Sequence, residues 1–109
     1  MAPFLIEFPA DDPARARRFW EALLGASLRE RTAAEGSGWQ AGVEGVVLGL
    51  HPRGAGPGDR FALPYLPVAD LEAAVERVTA NGGEVIHAGA EHVICRDSEG
   101  TPFGLSRGS

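Results

Sequence analysis

The pattern of apolar and polar residues divides the chain into short strands and two helices. Phe4–Phe8 is apolar except for Glu7 and predicts a first strand. Asp12 followed by Pro13 predicts a helix start, because aspartate caps a helix and proline fits its first position. Apolar residues then recur at helical spacing and predict one buried face: Ala16, Phe19, Trp20, Leu23 and Leu24. Gly25 is typical of the left-handed residue that ends a helix.

The second half of the chain repeats this order. Asp70 is the predicted cap of a second helix, and Asn81-Gly82-Gly83 ends it. The apolar face of this helix comprises Leu71, Ala74, Val75 and Val78. The other predicted strands are short and are separated by glycine-bearing turns: 27–32, 38–43, 46–51, 61–66, 84–87, 92–96 and 102–107. The predicted element order is therefore βαβββ, twice.

The two halves also align residue by residue. Residues 8–12 align with residues 66–70 at an offset of 58, which places Leu5 on Leu63 and Glu7 on Tyr65. Residues 49–51 align with residues 104–106 at an offset of 55. Such internal repetition predicts an α+β fold of two tandem modules in one domain, residues 1–109. We place module one at 1–53, a linker rich in glycine and proline at 54–59, and module two at 60–109.

Composition narrows the function classes. A chain of 109 residues can bury one core but not two independent ones. The net charge is -5 and every basic residue is an arginine, which disfavours a nucleic acid or an anionic membrane as partner. The absence of lysine removes Schiff-base chemistry. Cys95 is the only cysteine, which excludes an intrachain disulfide and a thiolate zinc cluster. The N-terminal residues lack a signal-peptide pattern, so we expect a cytoplasmic protein.

Three segments carry a family resemblance. Residues 7–25, EFPADDPARARRFWEALLG, resemble the opening of the vicinal oxygen chelate superfamily, which includes glyoxalases, bleomycin-resistance proteins and extradiol dioxygenases. Residues 68–75 resemble its second helix, and residues 96–105 resemble its acidic, glycine-bearing turn and final strand. The resemblance covers nearly the whole chain. It implies mixed sheets that curve around a shared cavity, a small-molecule ligand and a homodimer.

The resemblance also implies where a metal ion would bind. In the metalloenzymes of this superfamily, histidine or glutamate side chains from the first and fourth strand of each module hold a divalent ion. The four corresponding positions here are Leu5, Gly49, Leu63 and Gly104, and none has a side-chain donor. We therefore expect this fold without its usual metal site and without another cofactor.

The same alignment predicts a binding surface. Strand side chains alternate between faces, so residues that share a face with the four positions should line the cavity. Two glycines at those positions would leave room for a ligand, and a polar residue follows two places after each position. Trp39 could stack on a flat ligand, with core packing or a dimer contact as equal alternatives. The candidate ligand-binding residues are Leu5, Glu7, Trp39, Gly49, His51, Leu63, Tyr65, Gly104 and Ser106.

Three hypotheses for function follow. The first is a metal-free protein that holds a mainly apolar or aromatic small molecule, with drug sequestration as one form of that activity. The second is an enzyme, such as a lyase or isomerase, with Glu7, His51 and Tyr65 as acid–base or hydrogen-bonding groups, or with an unorthodox metal site. The third is a structural or regulatory dimer domain with an empty cavity. The polar residues could also lie idle at a solvated cavity mouth.

Overall fold

The computed structural model describes residues 3–56 and 59–108, and the predicted order of elements is confirmed there. Module one contains β1 (Phe4–Ala10), α1 (Pro13–Leu24), β2 (Arg29–Glu30), β3 (Trp39–Val43) and β4 (Val46–Pro52). Module two contains β5 (Leu63–Val68), α2 (Leu71–Ala80), β6 (Glu84–Ala88), β7 (His92–Arg96) and β8 (Pro102–Arg107). The fold is mixed α+β, with a helix and four strands in each half. Neither helix in the described segments is long and apolar enough to cross a membrane.

The chain forms two compact units, the first of which spans Leu5–Ala62. In this unit the strand order is β2-β3-β4-β1, and β3 pairs antiparallel with β4. The core lies between this sheet and α1, where Leu28, Leu48 and Leu50 are buried. Trp20 of α1 packs against this cluster, and its ring centroid lies 4.8 Å from that of Phe8.

The ends of α1 match the prediction, whereas its apolar face matches only in part. The Asp12 side chain accepts a hydrogen bond from the Arg15 amide at 3.1 Å, and Gly25 ends the helix with φ 65. Trp20 packs on the sheet, but Phe19 and Leu23 are 60% and 62% exposed. Residues four apart form one row on a helix, and the row of Phe19 and Leu23 lies beside the row that contacts the sheet.

The second unit contains β5 to β8 and α2. Its strand order is β5-β8-β7-β6, with β5 parallel to β8 and the other pairs antiparallel. The Asp70 side chain caps α2 by accepting from the Ala73 amide at 3.0 Å, as predicted. The core against α2 is formed by Leu71, Ala74, Val93, Cys95 and Leu105. Since side chains alternate along β7, the neighbours His92 and Ile94 lie on the opposite face of the sheet.

Three strands, β1, β2 and β5, differ from their predicted bounds by two residues at one end or both, and β3, β4 and β6 differ by one residue. β2 is two residues long, because Arg31 leaves the strand and its amide donates to the Gly38 carbonyl at 2.9 Å across a loop. β5 begins at Leu63 rather than at Phe61, which is exposed. Pro57 and Gly58, within the predicted linker 54–59, lie outside the described residues. The domain boundaries stay a prediction.

Candidate functional site

The space above Gly49 in β4 is occupied by an ion pair. A Cβ atom at Gly49 would overlap the Arg31 guanidinium and would lie 2.6 Å from Oε1 of Glu7. The neighbours Leu48 and Leu50 pack in the cluster under α1, so Gly49 faces the other side of the sheet. The Arg31–Glu7 pair therefore lies on the sheet face directed away from α1.

Arg31 is held at both ends of its guanidinium. Nη2 donates to both carboxylate oxygens of Glu7 at 2.7 Å, and Nε donates to Oε1 of Gln40 at 3.0 Å. The Arg31 side chain is 5% exposed and the Glu7 side chain 15% exposed. Charge-assisted hydrogen bonds are among the strongest in proteins, and here they neutralise a charge that would otherwise be buried alone.

Gln40 connects this pair to a second one nearer the surface. Its Nε2 donates to Oε2 of Glu35 at 3.4 Å, and Arg29 donates to both oxygens of Glu35 at 2.7 Å. The Arg29 guanidinium lowers the pKa of Glu35 to about 2, with help from the Thr32 amide. We call Glu7, Arg29, Arg31, Glu35 and Gln40 the module-one polar network. It fixes the loop between β2 and β3 and thereby positions Arg31.

In module two the equivalent glycine lies beneath an aromatic ring. Gly104 pairs with Tyr65 between β8 and β5, and a Cβ atom at Gly104 would overlap the Tyr65 ring. The edge-to-face contact between the Tyr65 and His92 rings has a centroid distance of 5.5 Å. Ser106 pairs with His92 on one side and with Pro67 on the other. This face of module two therefore carries two rings beside a glycine and a serine.

The two glycines do not leave open space, contrary to our expectation. Glu7, with Arg31, fills the space at Gly49, and Tyr65 fills it at Gly104. Glu7 and Tyr65 are polar residues predicted two places beyond vacant metal positions. At both glycines the protein's own side chains pass close over the backbone. A residue with a Cβ atom would prevent this close approach.

The donor set does not fit the metal site that the superfamily resemblance implies. Leu63 is fully buried, Leu5 is half-buried, and neither offers a donor atom. Within residues 3–56 and 59–108, no group of three or more His, Cys, Asp or Glu side chains is arranged to hold a metal ion. The Arg31 guanidinium also places a positive charge above Gly49, and a like charge beside it would be repelled.

Glu7 and His51 have different bonding partners. His51 Nδ1 lies 2.9 Å from the Pro52 carbonyl oxygen and 3.9 Å from Oδ1 of Asp59. In the part of the chain that the structure describes, no hydrogen bond or ion pair joins His51 to Glu7. Both Glu7 oxygens already accept from Arg31. The arrangement does not form the acid–base pair that the sequence suggested.

Trp39 lies on the helix side of its sheet. It pairs with Leu50 and packs with the cluster under α1, and the Arg17 guanidinium lies 4.0 Å from its ring centroid. Its packing corresponds to the alternative of a core residue. Cys95 is also buried in a core, and burial raises the pKa of its thiol, so it is a poor nucleophile.

Sequence reasoning missed Arg31 and Gln40. A signal for Gln40 exists, because it alternates with Trp39 and Ala41 in a strand and so faces away from the core. A signal for Arg31 is indirect: a carboxylate such as Glu7 in an apolar strand requires a partner. Nothing local selects Arg31 from the ten arginines, since it lies 24 residues from Glu7 along the chain.

Comparisons with known proteins identify the fold and the family. A structure described as an NAD-dependent benzaldehyde dehydrogenase from Legionella pneumophila has a TM-score of 0.75 at 14% identity, covering 98% of this chain and 100% of that one. An uncharacterized protein from Methanosarcina mazei has a TM-score of 0.63 at 18% identity, covering 98% and 92%. A glyoxalase/bleomycin resistance protein/dioxygenase superfamily member from Vibrio splendidus 12B01 has a TM-score of 0.62 at 18% identity, covering 95% and 97%. At these identities the likeness shows the fold alone.

The family is shown by a comparison of the sequence with family models. None of the curated proteins matches it significantly. The family model described as a glyoxalase-like domain matches residues 5–106, which is nearly the whole chain. This chain therefore belongs to the glyoxalase-like domain family.

Proposed function

We propose that this protein binds a mainly apolar or aromatic small molecule and does so without a metal ion. The observation that carries the proposal is the Arg31 guanidinium, which lies above Gly49 at one of the four positions that the superfamily resemblance assigns to metal ligands. Leu5, Leu63 and Gly104 complete a set with no side-chain donor. A metal ion would need about three such donors.

The face of module two supports an apolar or aromatic ligand. Tyr65 and His92 present ring edges and faces there, and Ile94 adds a buried aliphatic side chain on the same strand as His92. Aromatic side chains contribute large contact areas and favour stacked or edge-to-face geometries with flat ligands. In module two we propose Tyr65, Gly104 and Ser106 as ligand-binding residues, and in module one we propose a surface with Glu7 and Gly49.

The metal-free part is tested by elemental analysis of purified protein and by titration with Zn²⁺, Mn²⁺ and Ni²⁺. We expect no stoichiometric binding. The matched variants are Glu7→Ala and His51→Ala, each of which removes one of the residues that an unorthodox site would need. A stoichiometric ion that is lost in both variants contradicts the proposal.

The ligand part is tested by NMR titration with a library of flat apolar compounds. Tyr65 is the only tyrosine, so its ring resonances form a unique reporter. We expect saturable shifts of these resonances. His92→Glu should weaken binding about tenfold by placing a carboxylate against the ligand, whereas the neutral His92→Gln, which loses the ring but adds no charge, should weaken it less. The absence of a saturable response across the library contradicts the proposal.

Two further features stay predictions. The superfamily resemblance predicts a homodimer, which light scattering on purified protein would test. A cytoplasmic location is the other feature that stays a prediction.

A further inference from the structure

Arg31 has unused hydrogen-bonding capacity. Nη2 bonds to Glu7 and Nε to Gln40, but Nη1 has no acceptor among the described residues. In that same part of the chain, no fully buried side-chain nitrogen or oxygen lacks a partner, so Nη1 is reached by solvent. Although the Arg31 side chain is only 5% exposed, the two N–H groups of Nη1 therefore remain free to donate.

We infer that Arg31 Nη1 anchors a ligand at the proposed surface of module one by donating to an uncharged acceptor oxygen, such as the carbonyl of an aryl ketone or amide. This inference rests on the proposed function and specifies the ligand's polar group. The Arg31 guanidinium is rigidly held, so little conformational entropy is lost when an oxygen binds to it. Its donors lie on the sheet face that also carries Glu7 and Gln40.

The charge of the site favours a neutral ligand over an anion. Glu7 already balances Arg31 through two hydrogen bonds, so the pair carries no net charge. A carboxylate bound at Nη1 would add an unbalanced negative charge close to Glu7, whose side chain is only 15% exposed. The net charge of the whole chain, -5, acts in the same direction.

Three probes of nearly the same shape separate the possibilities: acetophenone with a carbonyl, benzoate with a carboxylate, and α-methylstyrene with a methylene in place of the oxygen. Binding at module one is followed through the Arg31 Nε–H resonance, assigned by its loss in Arg31→Lys, and binding at module two through the Tyr65 ring. In the wild type we expect acetophenone to bind about tenfold more tightly than either other probe, because only it satisfies Nη1 without added charge.

Glu7→Gln provides the decisive reversal. It removes the balancing charge with little change in shape, so Arg31 is left positive and benzoate should become the preferred probe. Glu84→Gln is the matched control, since it changes the net charge of the chain equally at a surface pair with Arg96 and should keep the preference for acetophenone. If Glu7→Gln does not fold, the wild-type ranking of the three probes still decides.

The outcomes separate this inference from the function on which it rests. Equal binding of all three probes, with a response at Tyr65 but none at Arg31, overturns the inference and leaves apolar binding intact. Tighter binding of benzoate than acetophenone by the wild type also overturns it. Absence of binding by every probe and by the whole compound library contradicts both.

Discussion

In module one the glycine of the last strand lies beneath an ion pair, whereas in module two the equivalent glycine lies beneath an aromatic ring. The equivalence follows from the internal alignment, which places Gly49 on Gly104 and Glu7 on Tyr65. Each large side chain starts two places beyond a position where superfamily metalloenzymes carry a metal ligand. The same backbone arrangement thus accommodates two chemically different fillings.

The difference shows what each filling requires from the rest of the module. The Tyr65 ring lies over Gly104 and contacts the His92 ring, both in strands of the same module. The Glu7 carboxylate needs a cation, which comes from a loop, and that loop is in turn held by Glu35 and Arg29. Module one should therefore depend on a charge network, and module two on packing.

The largest expected effect comes from breaking the buried pair. Arg31→Leu leaves the Glu7 carboxylate buried without a partner and should lower the free energy of unfolding by about 3–5 kcal/mol. Glu7→Leu combined with Arg31→Leu should recover most of that loss, because no buried charge then remains. Urea denaturation monitored by circular dichroism measures both.

The exposed pair supplies the control for this comparison. Arg29→Leu removes the cation from a surface pair and should cost much less than Arg31→Leu, because solvent screens exposed charges. Equal losses for Arg31→Leu and Arg29→Leu would show that burial does not set the strength of the charge network.

A smaller effect is expected from filling the glycine positions. Gly49→Ala and Gly104→Ala should each destabilise the protein by about 1–3 kcal/mol, because the new methyl group overlaps the ion pair or the Tyr65 ring. Gly42→Ala is the matched control, since it lies in a strand of module one and its Cβ atom would meet nothing within 4 Å.

A double-mutant cycle then separates the two modules. Tyr65→Ala should remove the penalty of Gly104→Ala and leave that of Gly49→Ala unchanged, because only Gly104 contacts the ring. Penalties that respond equally to Tyr65→Ala would contradict the assignment of a separate filling to each glycine. Chemical denaturation of the four combinations provides the energies.

The sequence predicts the fold well because the fold depends on local signals. Asp12 and Asp70 predict where the two helices begin, and each side chain accepts the capping hydrogen bond from the amide three residues later. The strands β7 and β8 have the predicted bounds, since their apolar alternation ends at turns. Burial within α1 is predicted less well, because Phe19 and Trp20 have the same apolar character and only the tertiary contact distinguishes them.

The candidate site is predicted only in part because its contacts are not local. Glu7 was a candidate, but its partner Arg31 lies in a predicted strand that ends early and becomes a loop. A glycine in the sequence indicates a missing side chain but not the neighbour that fills its space. That neighbour follows from strand register at Tyr65 and from loop conformation at Arg31, and periodicity determines neither.

The smallest expected effect is the acid sensitivity of the exposed pair in module one. Arg29 lowers the pKa of Glu35 from 4.5 to about 2, so the ionised form stabilises the folded state above the unfolded pKa. That contribution is lost as the pH falls from about 4.5 through about 2. The difference in unfolding free energy between wild type and Glu35→Gln should therefore be constant near neutral pH and shrink over this range in urea titrations. Module two has a similar surface pair, in which Arg107 lowers the pKa of Glu72. The difference in unfolding free energy between wild type and Glu72→Gln should therefore also shrink as the pH falls. Gln40 joins Glu35 to the buried pair. If the difference in unfolding free energy between wild type and Glu35→Gln stayed constant down to pH 2, the network would not act through the Glu35 charge.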